Sequence, residues 1–109
     1  MSDTSHIEPV FNFVPSLGAC GYTNTSQQIV ASVSNVVFNN YPGATANPNK
    51  NPICHHKIFI QSGSKNLTAS IVDFFQSKDT NNVGLSDAGF SQFADLSDGI
   101  VPNVAWSIV

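Results

Sequence analysis

A chain of 109 residues makes one domain with a single core. Only 10% of its residues are charged, against roughly 25% in an average soluble domain, so its polar surface must come from Ser, Thr, Asn and Gln. A net charge of −3 with four Lys and Arg argues against the basic patch that nucleic acid needs, and no apolar run approaches the ~18 residues of a membrane span.

The amino terminus, Met1-Ser2-Asp3-Thr4-Ser5-His6, has neither a basic segment nor an apolar stretch, so it does not read as a signal peptide. It is expected to be a tail, residues 1–8, at the mature end of an extracellular protein, with the folded domain spanning 9–109. Asn24-Thr25-Ser26 and Asn66-Leu67-Thr68 match the glycosylation sequon, which suits secretion.

Val10 to Val14 reads as the first strand, ended by Pro15, and Gln28 to Ser32 as the second. Ser34 to Asn39 predicts one helical turn capped by Ser32 or Ser34. Tyr41 to Pro52 is a loop, with Pro42-Gly43, Asn47-Pro48 and Asn51-Pro52 as turn signals. Lys57 to Gln61 and Lys65 to Phe75 predict a hairpin around Ser62-Gly63-Ser64. Leu85 to Ala94 predicts a short helix with Ser86 as N-cap and Asp87 in its first turn. Asn103 to Val109 is the last strand, with Val104, Trp106 and Ile108 alternating on one face. Short strands with one or two short helices suggest a small closed barrel.

Leu17-Gly18-Ala19-Cys20-Gly21, followed by Asn24, opens a series of motifs that continues with Val30-Ala31-Ser32-Val33 and Asn51-Pro52-Ile53-Cys54. Lys57-Ile58-Phe59-Ile60, Ala69 to Asp73, Leu85-Ser86 with Phe90, and the segment ending at Trp106 complete it. In this order and spacing the chain resembles the small fungal-type double-psi β-barrel proteins: expansins, loosenin-like and barwin-like proteins, and the rare-lipoprotein-A-like domain. The resemblance implies a mainly β fold, a six-stranded double-psi barrel. It also implies a Cys20–Cys54 disulfide, the one intramolecular pairing that two cysteines allow.

Asp73 holds the position at which expansins line a polysaccharide groove. By strand parity it shares a face with Leu67, Ala69 and Ile71, which would leave it partly desolvated and suited to general-acid work. The alternative is an Asp that caps a neighbouring loop. Lytic relatives carry a second Asp just before Leu-Ser, and here that position is Gly84. Glycoside hydrolysis by the usual route needs two carboxyl groups; Asp79 and Asp87 are near in sequence, but nothing sets either opposite Asp73. Phe11 and Phe13 stand where Thr and Tyr are usual. No catalytic residue is expected.

Tyr22, Tyr41, Phe74, Phe75 and Trp106 are aromatics able to stack on sugar rings. Trp106 alternates with Val104 and Ile108 and equally reads as core, while Tyr22 and Tyr41 sit in polar, loop-like surroundings. Phe38, Phe59, Phe90 and Phe93 are core by pattern. Neighbouring residues on a strand point to opposite faces, so His55-His56 cannot chelate together without a turn; no metal or cofactor is expected. The favoured function is a non-hydrolytic, expansin-like protein that binds cell-wall polysaccharide. The alternative is a secreted protein ligand on the same barrel, such as an effector, an immunomodulatory protein or a cysteine-protease inhibitor. A weak lytic enzyme using Asp73 ranks third.

Overall fold

Pro9 stands inside the first strand. β1 runs His6–Asn12, earlier than the expected Val10 start, and its pairing with the last strand shifts register between Glu8 and Val10. A proline lacks an N–H, so a strand tolerates it at such an irregularity. This computed structural model describes residues 6–77 and 82–109. The expected tail therefore yields His6–Glu8 to the sheet, and residues 1–5 and the candidate acid Asp79 lie outside the described residues.

The remaining strands are β2 (Val30–Ser34), β3 (Lys57–Ser62), β4 (Lys65–Phe75), β5 (Val83–Leu85) and β6 (Ile100–Ile108), with short helices α1 (Asn35–Asn39) and α2 (Asp87–Phe90). Among the described residues these six strands close a barrel in the order β1-β5-β2-β4-β3-β6. β1 and β5 run parallel, as do β2 and β4; the other pairs are antiparallel. The fold is mainly β with a few short helices, as expected.

Local chemistry explains several elements. Ser34 caps α1, its side chain accepting the Val37 N–H at 3.2 Å. Each Asn-Pro pair starts a 3-10 turn: Asn47 accepts from Asn49 N and Asn51 from Ile53 N, with the proline at the position that needs no donor. Asn51 is buried, and its amide also donates to Phe38 O at 2.7 Å, tying the end of α1 to the loop. β3 and β4 pair as far as Ser62 and Lys65, leaving Gly63-Ser64 as the turn, with Gly63 at φ +61°.

Two expectations need correction. The helix expected over 85–94 shrinks to Asp87–Phe90, because Leu85 belongs to β5. Ser86 sits at the cap position but spends its hydroxyl elsewhere, donating to Gln28 O and accepting from Val30 N. That bond pins α2 to the start of β2.

Rows of paired residues alternate between core and outer face, as the two-residue period of a strand requires. Val10, Val83 and Val33 form one inward row, each fully buried, continued by half-buried Phe74, which packs on Phe38. Leu85, Ala31 and Ile71 form the next inward row. Ala31 pairs with Ile71 but Ser32 pairs with Asp73, so Val72 is an extra residue, a β-bulge. Val72 is buried beside Ile71, and parity flips beyond it. Asp73 therefore lies on the outer face, opposite to the face that simple alternation gave it.

Candidate functional site

Phe11, Gly84, Ser32 and Asp73 occupy one outer row across β1, β5, β2 and β4. The positions of the two acids in lytic relatives thus share a face, separated by Ser32 and by two strand spacings, about 10 Å. A carboxylate at 84 would need open space on this face beside Ser32. Here that space is filled. A Cβ built on Gly84 would lie 2.9 Å from the tip of the Phe11 ring and 3.3 Å from the Phe13 Cβ.

The Phe11 ring reaches on over small residues and meets Phe75 edge to face, with centroids 4.9 Å apart and planes at 85°. Ser32 and Ser34, the β2 residues facing this outer side, are 3% and 0% exposed. The two half-buried rings thus roof the row in which a groove floor would need polar, open side chains. Phe75, expected as a stacking platform, has its ring engaged within the protein. Sequence reasoning gave the Phe11 ring no role; its one signal was Phe where relatives carry Thr.

Asp73 performs the loop-capping alternative. Its Oδ1 accepts the Ala19 N–H at 3.0 Å and its own neighbour's, Phe74 N–H, at 2.8 Å. Val72 O accepts from Cys20 N at 3.1 Å, and the Cys20–Cys54 disulfide, with Cα atoms 5.6 Å apart, clamps the same loop to the turn before β3. Gly18 approaches so closely that a Cβ there would come within 2.4 Å of Val72 O. Asp73, the disulfide and Gly18 together dock the Leu17–Tyr22 loop on the β4 bulge. The other nearby acid, Asp87, accepts from Asn12 Nδ2 at 2.9 Å at the start of α2.

Beside that loop, next to the disulfide and the bulge, lies a cleft of about 470 Å³ bordered by Tyr22, Ile29, His55, His56, Lys57 and Ser70. Tyr22 is 50% exposed at its rim. Tyr41 is half-buried and its ring packs on His56 at 5.4 Å between centroids. His56 also places Nδ1 3.1 Å from Val109 O, whereas His55 is exposed. Among the described residues no three His, Cys, Asp or Glu side chains gather as a cation would require. The structure brings Tyr22 and, through His56, Tyr41 to one side, but Asp73 does not border this cleft. Trp106 is 4% exposed within the core cluster, so its ring offers no stacking surface. That corrects its inclusion among ligand-binding residues.

No protein-family model matches the chain. A papain inhibitor from Streptomyces mobaraensis is 30% identical over 98 positions, which cover 84% of this chain. The chain spans 62% of that relative's length. Among solved structures, the Streptomyces papain inhibitor superposes with a TM-score of 0.86 at 22% identity, covering 97% of this chain and 94% of its own. A point variant of a Clavibacter michiganensis expansin in complex with cellohexaose gives a TM-score of 0.73 at 16% identity, with coverage of 97% and 50%. The same expansin without ligand gives 0.74. These likenesses establish a fold shared with the inhibitor and the expansin. The fungal qualifier finds no support, since the named sources are Streptomyces and Clavibacter. No helix is long and apolar enough to cross a membrane among the described residues.

Proposed function

We propose that this protein is a non-catalytic, extracellular protein ligand that inhibits papain-like cysteine proteases, carried on a double-psi barrel. The observation that carries the reading is the roofed outer row. With Phe11 over Gly84 and against Phe75, the face that would hold a sugar chain between two acids has neither the second acid nor an open floor. The similarity to a papain inhibitor, which spans nearly the whole barrel, supports the same reading. The disulfide suits an oxidising compartment outside the cell, and interaction through loops on a rigid barrel needs no catalytic group.

Polysaccharide binding, the first expectation from sequence, keeps one supporting observation: the exposed Tyr22 ring beside a cleft, on a fold shared with an expansin solved with cellohexaose. Titration against papain with a fluorogenic peptide, beside pull-downs on cellulose, chitin and β-glucan, separates the two. Dose-dependent loss of papain activity with no retention on the polysaccharides supports inhibition. Retention on a polysaccharide without any effect on papain overturns it.

A further inference from the structure

The segment Val14 to Tyr22 shows three large apolar side chains to solvent: Val14 is 78% exposed, Leu17 68% and Tyr22 50%. Three such groups within nine residues of chain are more than the single exposed apolar side chains that need no explanation. What distinguishes this segment is the rigidity of the backbone beneath them. Leu17 bridges Thr23 across the loop, Gly18 N donates to Tyr22 O at 3.1 Å, and Asn24 N donates to Ser16 O at 3.1 Å. The loop is then fastened to β4 through Ala19 and Cys20 and to the turn before β3 by the disulfide.

Nothing in this segment has to be stripped of charge on contact. Residues 9–49 contain no Asp, Glu, Lys, Arg or His, although the chain carries seven acids and four Lys and Arg elsewhere. A neutral, apolar, pre-ordered projection loses little entropy and little hydration on entering a cleft. A substrate cleft that takes apolar side chains and pairs with peptide groups is the complementary surface. Cross-loop hydrogen bonds and the disulfide would also hold the chain out of the extended form that a protease must bind to cleave.

We propose that the Val14–Tyr22 loop is the element that enters the active-site cleft of a papain-like protease, with Leu17 and Tyr22 as its principal contacts; this rests on the inhibitor reading above. The test uses the full chain with Val14→Ala, Leu17→Ala and Tyr22→Ala, and with Leu96→Ala and Ile100→Ala as exposed apolar controls elsewhere. Each variant is checked for an unchanged melting temperature and then titrated against papain. Weakening of inhibition by about tenfold or more for Leu17→Ala or Tyr22→Ala, with controls within about twofold, is the expected result. Hydrogen exchange in the complex should show new protection over residues 14–22. If the unaltered protein inhibits and the loop variants inhibit equally well, the loop is not the contact and the inhibitor reading stands. If the unaltered protein does not inhibit papain, both fall together.

Discussion

Restoring the carboxylate that lytic relatives carry, Gly84→Asp, should destabilise this protein rather than activate it. Gly84 is buried in β5, and any Cβ there meets the Phe11 ring at 2.9 and 3.1 Å and the Phe13 Cβ at 3.3 Å. The Phe13 Cβ sits close to the main chain and has little room to move, so the Phe11 ring must swing. Swinging gives up its edge contact with Phe75, worth about 0.5–1.5 kcal/mol, on top of an overpacking cost of about 1–3 kcal/mol. Removing a glycine from a strand interior returns about 0.5–1 kcal/mol. Gly84→Ala should therefore cost about 0.5–4 kcal/mol, by the same principles. Gly84→Asp adds a carboxylate under the aromatic roof and should cost about 2–5 kcal/mol.

Urea denaturation followed by the fluorescence of Trp106, the chain's one tryptophan and a core residue, reads both. The two positions should also be coupled: Phe11→Thr removes the ring, so Gly84→Asp should cost less in that background by about 1–2 kcal/mol. A Gly84→Ala midpoint equal to that of the unaltered protein, or a Gly84→Asp cost indifferent to Phe11→Thr, would refute the roofed-row account.

Two further outcomes follow from the docked loop. Replacing Cys20 and Cys54 by Ser opens a link between residues 34 apart in sequence and should lower stability by about 4 kcal/mol on the chain-entropy model. An unreduced digest should contain the linked peptides, and two alkylatable thiols in the native protein would contradict this. Asp73→Ala frees the Ala19 N–H and should cost about 1–3 kcal/mol, with weaker papain inhibition. Asp73→Asn keeps an oxygen acceptor and should stay close to the unaltered protein in both measurements; equal loss in the two variants would mean that the negative charge itself matters.

Elements written in contiguous residues were legible in the sequence. A serine before Asn-Val-Val-Phe-Asn predicts a capped turn, with Ser32 and Ser34 both able to supply the cap, Gly63 between two alternating runs predicts a hairpin, and the alternation around Trp106 marks its strand. Each of these needs only a side chain and the backbone a few residues away. The motif order likewise pointed to the barrel and to the disulfide, because cysteines and glycines in fixed surroundings carry that information along the chain.

Tertiary structure alone decided the site. Three residues, Val83–Leu85, are too few for any period to register, yet as β5 they pair with both β1 and β2 and close the barrel between them. The bulge at Val72 is created by the register against β2, so a parity argument confined to β4 put Asp73 on the wrong face. Phe11 and Gly84 are far apart in sequence, and only their shared row shows that one ring occupies the place of a missing acid. Register and ring placement depend on partners from distant strands, and no local pattern in the chain encodes them.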